Sequence, residues 1–251
     1  MIDLHSHILP GIDDGARDLD EAVAMCQMAA RDGCKVLVAT PHLRHERFWN
    51  GDRRPLEKLH HELREAVGDL LQIELGGEIA VHSESLAELE ALPGGELLPL
   101  AGSRYLLLEL DWHGLGPDPL DVVHEIVVAG WWPVIAHPER VAWLAGNRAL
   151  LAALVEHGAC LQLTAMSLTG QLGRDRQVLC AELLAAGLVH FIASDAHSPT
   201  IRPPGLRQAY ETVVRLEGEA TARRLFVTHP LAVLENRPLP AVRTAPAAGL
   251  G

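Results

Sequence analysis

The chain lacks the features of a secreted, disulfide-bonded or membrane-spanning protein. Its four cysteines include no Cys-x-x-Cys pair and lie in apolar surroundings, where buried free thiols are the commoner state. No basic region followed by an apolar stretch opens the sequence, and no uninterrupted apolar run approaches the ~20 residues that a membrane helix needs. We therefore expect a soluble protein of the reducing cytoplasm, without membrane insertion.

The cysteines also lack the spacing of thiol-based phosphatases. Those enzymes place an arginine six residues after the cysteine, where it cradles the phosphate above a thiolate of low pKa. The corresponding positions after Cys26, Cys34, Cys160 and Cys180 hold Asp32, Thr40, Met166 and Ala186. A thiol-based phosphatase mechanism is therefore excluded.

Basic residues are in deficit, with 21 Lys and Arg against 33 Asp and Glu and a formal net charge of −12. This balance argues against nucleic acid as a partner, because proteins that bind a phosphate backbone usually present a basic surface. Bound cations would offset part of the negative charge. A length of 251 residues with 48% hydrophobic content predicts one well-buried domain.

Short apolar segments repeatedly end on residue types that bind metal ions. The first segment runs into His5-Ser6-His7, whose two imidazoles point to the same side of an extended chain. Five further segments end at His42, Glu78, Glu109, His137 and Asp195-Ala196-His197. Nitrogen and carboxylate ligands without thiolates suit Mn, Fe, Zn or Co, and the acids also suit a cluster of several ions.

Strand-like and helix-like segments alternate along the chain. Apolar runs predict strands near residues 1–5, 35–40, 72–79, 104–110, 132–137, 159–165 and 188–194, and helical patterns lie between them, including residues 83–92. This alternation implies an α/β fold that is either a barrel or a wound sheet. A barrel is favoured because it brings all strand ends around one mouth. Residues 239–251 are expected to form a disordered tail.

Several motifs resemble the polymerase and histidinol phosphatase (PHP) superfamily. His-x-His at 5–7 and Asp-Ala-His at 195–197 are typical of the superfamily. The continuation Ile-Leu-Pro-Gly-Ile-Asp-Asp-Gly at 8–15 and Ala-His-Pro-Glu-Arg at 136–140 resemble its bacterial protein-tyrosine phosphatases of capsule and exopolysaccharide clusters. The matching blocks reach from residue 3 to about residue 202. The resemblance implies a distorted seven-stranded (β/α)7 barrel, forming a single domain over residues 1–238.

The resemblance also implies a centre of three divalent ions, with Mn the first expectation. His5, His7, Glu78 and Asp195 would hold one ion, and Glu78 would bridge to a second ion bound by Glu109 and His137. Asp14, His42 and His197 would hold the third. A metal-held hydroxide is then the expected nucleophile.

Two arginines are candidates for binding the phosphoryl group. Arg140 and Arg202 occupy positions that the family uses for phosphate, so the resemblance assigns them that role. Planar guanidinium groups suit phosphate oxygens better than the ammonium group of lysine does.

Some candidates have a simpler interpretation. Asp14 could belong only to the turn over residues 11–15, where Asp is common. Asp111 lies on the same strand face as Glu109 and competes with it, and Glu139 is expected to orient its loop. The loop residues His45, His82, His113, Arg44, Arg47, Phe48, Trp49 and Trp112 either line the mouth, as an acidic phosphotyrosine peptide would need, or form solvated loops with anchoring aromatics.

The sequence is thus interpreted as a metal-dependent phosphomonoester hydrolase acting on protein phosphotyrosine. The expected partner is the C-terminal tail of a bacterial tyrosine kinase that regulates polysaccharide synthesis or export. A PHP-type small-molecule phosphatase, acting on histidinol phosphate or a nucleotide, is an alternative on the same ligand set. A non-catalytic metal-binding regulator is the second alternative. The native metal, the oligomeric state and any general acid stay open.

Overall fold

The computed structural model describes residues 1–82 and 98–239, in which strands alternate with helices. The strands are β1 (Ile2–Ser6), β2 (Val36–Ala39), β3 (His42–Leu43), β4 (Gln72–Leu75), β5 (Glu78–Val81), β6 (Tyr105–Leu110), β7 (Trp132–Ala136), β8 (Cys160–Thr164) and β9 (Phe191–Ala193). The predicted helix at residues 83–92 lies outside the described residues, as does the predicted tail beyond Leu239.

The helices cover or connect these strands. They are α1 (Leu19–Asp32), α2 (Arg53–Val67), α3 (Pro119–Val128), α4 (Ala142–Ala145), α5 (Arg148–Glu156), α6 (Ala165–Leu168), α7 (Arg174–Ala185), α8 (Arg207–Glu217), α9 (Glu219–Arg223) and α10 (His229–Leu234). Short 3-10 turns occur at Gly68–Leu70 and Leu100–Gly102, and a π-helical turn at Arg224–Thr228 joins α9 to α10.

Helix α1 shows how local sequence sets the element boundaries. The Asp18 side chain accepts a hydrogen bond from the Glu21 N–H and so caps the first turn. The helix ends at Gly33, whose φ of 96° is the left-handed conformation that glycine adopts without steric strain. Its buried residues Ala22, Met25, Cys26 and Ala29 recur at helical spacing, so one face packs on the core.

All strand pairs are parallel, and the strands form two sheets. The first has the order β1-β2-β4, and the second has the order β3-β5-β6-β7-β8-β9. Most strand residues are buried, as the continuous apolar runs predict for parallel strands covered on both faces. The predicted α/β fold with parallel strands is therefore confirmed.

The described ladders do not close into the single seven-stranded barrel that we expected, because the strand pairing is interrupted at two points. The strand predicted at residues 72–79 is divided into β4 and β5, and a separate short strand, β3, follows the strand predicted at residues 35–40. Pro41, which has no N–H for a ladder, separates β2 from β3. Gly76 and Gly77 separate β4 from β5, and a Cβ on Gly77 would lie 2.2 Å from Leu43 Cδ1. A side chain at position 77 would force Leu43 to move, so glycine suits the close packing where the strand is divided.

Backbone hydrogen bonds nevertheless continue where the two sheets meet. The Glu78 N–H donates to the Pro41 carbonyl at 3.0 Å, on the side of β3 and β5. On the other side, the His7 N–H donates to the Ala196 carbonyl at 2.8 Å, which joins the end of β1 to the segment after β9. The carboxyl ends of the strands therefore still lie around one region.

The four cysteines are buried and form no disulfide, in agreement with the expectation of free thiols. Burial raises the pKa of the Cys160 thiol to about 12, so this thiol is protonated at neutral pH. Within the described ranges, no helix combines the length and apolarity needed to cross a membrane.

Two histidines that the sequence did not connect join α10 to the sheet. The Leu161 N–H donates to His190 Nδ1 at 3.2 Å, and His229 Nδ1–H donates to the His190 carbonyl at 2.9 Å. Burial lowers the pKa of His190 to about 4 and also lowers the pKa of His229. Both imidazoles are therefore neutral in the folded protein at neutral pH.

We expect His190→Asn to make the protein less sensitive to acid. The ordinary pKa of 6.5 applies to the unfolded chain, so the unfolded chain binds more protons than the fold between pH 6.5 and 4. The stability contributed by neutral His190 is complete above pH 6.5 and falls by about 2 kcal/mol on acidification to pH 5. The asparagine oxygen can still accept from Leu161. Urea unfolding at pH 7 and pH 5 measures the difference, and equal acid-induced losses in both proteins would contradict it.

Candidate metal centre

The structure brings together all nine side chains that the sequence proposes as metal ligands. They lie on β1, β3, β5 and β6 and on the loops after β1, β7 and β9, and they are His5, His7, Asp14, His42, Glu78, Glu109, His137, Asp195 and His197. Strand register contributes directly, since His42 is paired with Glu78 across β3 and β5, and Glu109 with Ala80 across β5 and β6. Their ligand atoms form four overlapping groups, each within 4.8 Å.

Glu78 occupies the centre of this cluster and is completely buried. Its Oε1 atom lies 2.8 Å from His137 Nε2 and 3.3 Å from His5 Nε2. Its Oε2 atom lies 3.0 Å from His42 Nδ1 and 3.3 Å from His7 Nε2. One carboxylate therefore contacts four imidazoles from three separate segments of the chain.

Asp14 lies at the open side of the cluster. Its Oδ1 atom is 3.4 Å from both His42 Nε2 and His197 Nε2, and 42% of its side chain is exposed. Asp14 therefore belongs to the cluster as well as to its own turn, because it faces two histidines from distant segments of the chain.

Glu109 and the competing Asp111 have different environments. Glu109 is buried, and its Oε1 accepts a hydrogen bond from Trp112 Nε1 at 2.9 Å. Asp111 accepts hydrogen bonds from the backbone of the following turn, at His113 and Leu115. The structure therefore places Glu109 in the cluster and gives Asp111 a role in the turn.

Asp195 connects the cluster to the two candidate phosphate-binding arginines. Its Oδ1 lies 3.5 Å from His5 Nε2, and its Oδ2 forms ion pairs with both Arg140 and Arg202. The arginine side chains are 18% and 20% exposed, so both border the cluster and reach solvent. The Arg140 guanidinium also lies over the Trp112 ring, 5.3 Å from its centroid.

Two cluster residues have an unusual backbone conformation. His137 has a φ of 33° and Asp195 a φ of 53°, and each follows a strand closely. Left-handed backbone at a residue with a side chain costs of order 1–3 kcal/mol and persists where the surroundings impose it. Such conformations concentrate at functional sites, which fits the position of these two residues.

Opposing effects set the pKa values in the cluster. Burial by itself would raise the pKa of Glu78, but His5, His42 and His137 hold it well below its usual value. Burial would lower the pKa of His42, yet Glu78 and Asp14 raise it to about 11. Protons on the histidines therefore balance the buried carboxylates in the protein without cations.

The donor set fits divalent metal ions. Glu78 Oε2, Glu109 Oε2, His42 Nδ1 and His137 Nδ1 are buried and have no well-oriented hydrogen-bond partner among the described residues. Imidazole nitrogens and carboxylate oxygens without thiolates suit Mn, Fe, Zn or Co. Divalent ions could replace the protons on the histidines and bind these unpartnered atoms.

Two residues that support the candidate ligands were not predicted from the sequence. Asp13 Oδ2 lies 2.8 Å from His7 Nδ1 and accepts from the His42 N–H, while its Oδ1 accepts from the Gly15 N–H. Gln162 Oε1 lies 2.8 Å from His5 Nδ1. These contacts leave the Nε2 atoms of His5 and His7 facing Glu78, as carboxylates and amides behind metal-binding histidines commonly do.

The sequence contained a weak signal for both residues. Asp13 adjoins Asp14 in a turn that already supplied a candidate, and Gln162 is an amide inside the buried strand β8. A polar side chain at a buried strand position needs a partner, and His5 provides it.

The turn that carries Asp13 and Asp14 packs directly on His7. The Ala16 N–H donates to the His7 carbonyl at 3.0 Å, and a Cβ on Gly15 would lie 2.0 Å from that oxygen. Only glycine permits this approach, which explains the glycine at the end of the turn.

Some of the loop residues border the cluster. Phe48 stacks on His42 with ring centroids 5.8 Å apart, and His45 lies 4.8 Å from the same ring. On another side, Trp112 stacks on His137 at 5.5 Å. Trp49 is 61% exposed and has no ring contact with the cluster histidines. Aromatic side chains therefore border the cluster on two sides.

Comparisons with known proteins point to one family. The chain matches the family "Capsular polysaccharide synthesis, CpsB/CapC" over residues 1–235. It is 35% identical to the tyrosine-protein phosphatase YwqE of Bacillus subtilis, over 80% of this chain and 79% of the relative. It is 31% identical to the tyrosine-protein phosphatase CpsB of Streptococcus pneumoniae, over 94% of this chain and 99% of the relative.

A solved structure shows the same similarity in three dimensions. It comes from work on YwqE of Bacillus subtilis and CpsB of Streptococcus pneumoniae, which are described as unique metal-dependent tyrosine phosphatases. The two chains superpose with a TM-score of 0.88 at 30% identity, covering 95% of this chain and 96% of the other.

We expect Asp13→Asn to weaken metal binding by roughly 10- to 100-fold, the usual effect of losing such a supporting contact. The two carboxylate oxygens of Asp13 accept from three N–H groups, whereas asparagine offers a single acceptor oxygen. Isothermal titration with Mn2+ measures the change, and Asp20→Asn on the exposed surface of α1 is the matched control. Equal affinities for both variants would show that Asp13 does not support the ligands.

Proposed function

This chain belongs to the CpsB/CapC family of capsular polysaccharide synthesis, and from that membership we propose that it is a metal-dependent protein-tyrosine phosphatase. Two relatives named tyrosine-protein phosphatases match this chain over 79% and 99% of their own length. The single observation that carries the proposal is the cluster of nine candidate metal ligands, eight of them buried, with two arginines at its border. Such a site suits hydrolysis of a phosphate monoester.

Three divalent ions, with Mn as the first candidate, are the proposed occupants of the cluster. The four overlapping groups of ligand atoms support more than one ion, and Glu78 belongs to two of these groups. When bound, such ions supply Lewis acidity that makes water nucleophilic near neutral pH and neutralises phosphate charge. The carboxylates and histidines of the chain hold the ions in place.

Arg140 and Arg202 bind the phosphoryl group in this proposal. Both guanidinium groups contact the same oxygen of Asp195, so they converge closely enough to contact one phosphoryl group. Asp195 keeps both side chains extended towards the cluster before the substrate arrives. Their fixed planar donors match phosphate oxygens in pairs.

The aromatic borders suit an aryl phosphate. Trp112 and Phe48 stack on two different cluster histidines, His137 and His42, so a phosphotyrosine ring entering the site meets apolar surfaces beside the metal ligands. A phenolate is a good leaving group, so a strong general acid is not required. The residues around the cluster can therefore act by binding and orienting the substrate.

The proposed partner is the C-terminal tail of a bacterial tyrosine kinase that regulates polysaccharide synthesis, and the proposed location is the cytoplasm. Family membership in capsule synthesis and the four reduced cysteines support this context. We also propose that residues 1–238 form one domain and that the two sheets are parts of a distorted seven-stranded barrel. The hydrogen bonds from Glu78 to Pro41 and from His7 to Ala196 support that arrangement.

Hydrolysis by the metal-reconstituted protein tests the proposed function. We expect Mn2+-dependent phosphate release from a phosphotyrosine peptide, with much lower rates on histidinol phosphate and on a nucleotide monophosphate. His7→Ala should remove the activity, because His7 contacts both Glu78 and Asp195. Preference for a small metabolite would assign the protein to another class of phosphatase, and no release from any substrate would favour a binding role.

Replacing either border arginine tests the phosphate-binding role separately. We expect Arg140→Ala and Arg202→Ala each to lower kcat/KM at least tenfold, corresponding to about 1.4 kcal/mol of lost transition-state binding. Metal content, measured by mass spectrometry, should stay at the wild-type level. Arg53→Ala removes an exposed ion pair with Glu57 and serves as the control. Loss of bound metal in the border variants would assign the arginines to the metal centre instead.

A further inference from the structure

A cleft of about 730 Å³ with several arginines in its lining opens beside the candidate site. It lies between the segment from Glu139 to Arg148, which contains α4, and the segment from Leu172 to Glu182, which contains most of α7. Building on the proposed function, we propose that this cleft binds acidic residues that flank the phosphotyrosine in the protein substrate. The cleft is termed the arginine cleft below, after Arg140, Arg148, Arg174 and Arg176 in its lining.

The arginine cleft is continuous with the site through one residue. Arg140 lines the cleft and also pairs with Asp195 in the cluster. A peptide whose phosphate lies at Arg140 therefore has neighbouring residues at the entrance of the cleft. The volume is within the range of ligand pockets, roughly 300–1,000 Å³, and so can accept several side chains.

Positive charge in the cleft is only partly neutralised. Arg148 forms an ion pair with Glu182. By contrast, Arg174 donates to Gln177 Oε1 at 3.3 Å and Arg176 to the Leu172 carbonyl at 2.7 Å, and both side chains are exposed. In residues 1–82 and 98–239, neither arginine has an ion-pair partner.

The acidic residues of the cleft do not remove this surplus. Glu139 is buried, and its Oε1 accepts a hydrogen bond from the Thr164 N–H, so it is engaged in the interior. Asp175 is the remaining acid beside Arg174 and Arg176. In a protein with a formal charge of −12, a cleft with free arginines next to the site favours an acidic peptide over a neutral one.

Exposed arginine–carboxylate contacts are individually weak, so the expected effect of the cleft on peptide binding is modest. They should change the binding of the substrate more than the chemical step, and salt should screen them. Removing both free charges should raise KM for an acidic peptide by about three- to tenfold with kcat nearly unchanged.

The test compares two phosphotyrosine peptides of equal length, with Glu or Gln at the flanking positions, on the metal-loaded protein. The double variant Arg174→Gln/Arg176→Gln is compared with the control Arg31→Gln/Arg215→Gln. Arg31 and Arg215 are also exposed, and like the cleft arginines they donate to neutral groups, here the side chains of Gln27 and Thr212. Both double variants remove two positive charges, so the change in net charge is identical. A small aryl phosphate reports the chemical step without flanking residues.

We expect wild type and the control variant to prefer the Glu peptide, and the cleft variant to lose that preference while hydrolysing the small aryl phosphate normally. Raising the salt concentration should reduce the preference in wild type. Equal KM values for the Glu peptide in wild type and cleft variant would overturn the proposal. So would the absence of any preference in wild type.

A binding measurement separates failure of this proposal from failure of the proposed function. Fluorescence anisotropy with the Glu peptide carrying a non-hydrolysable phosphonate in place of the phosphate reports affinity without turnover. If no phosphotyrosine substrate is hydrolysed, the proposed function fails. Weaker binding by the cleft variant than by the control then still supports the arginine cleft, and equal binding overturns it.

Discussion

The structure depends on one buried carboxylate. Glu78 is completely buried, and its two oxygens contact His5, His7, His42 and His137 at 2.8 to 3.3 Å. A buried charge is stable in a protein interior only when it is paired or coordinates metal. Protons on His5, His7 and His42, whose pKa values are raised, satisfy this requirement without cations, and divalent ions satisfy it when they replace those protons. Folding around Glu78 and readiness to bind metal therefore have the same physical origin.

The parallel sheets make this arrangement possible. Parallel strands direct their carboxyl ends to one edge, so short apolar runs that each end on His, Glu or Asp deliver their ligands to one place. The divisions at Pro41 and at Gly76-Gly77 occur close to His42 and Glu78, next to the cluster. Residues at the border of the cluster complete the site. Asp195 links the cluster to Arg140 and Arg202, and aromatic rings stack on two of the cluster histidines.

Much of this could be predicted from the sequence, because the signals are local. Strand β2 is a continuous apolar run, and His42 follows it within three residues, so the element and the candidate ligand are both visible in one short segment. The division of the strand at residues 72–79 was not predicted, since it depends on the contact between Gly77 and Leu43 in the fold. Asp13 and Gln162 were missed for the same reason: their importance depends on which histidine each one meets in the fold.

Anomalous diffraction from crystals of the Mn2+-reconstituted protein would show directly whether the cluster around Glu78 binds metal. We expect anomalous peaks inside the cluster, each contacting side chains from at least two strands, with one peak bound by Glu78. The Glu78→Gln protein should lose that peak. Crystals that bind Mn2+ only at the surface, with Glu78 still in contact with its four histidines, would show that the cluster is not a metal centre.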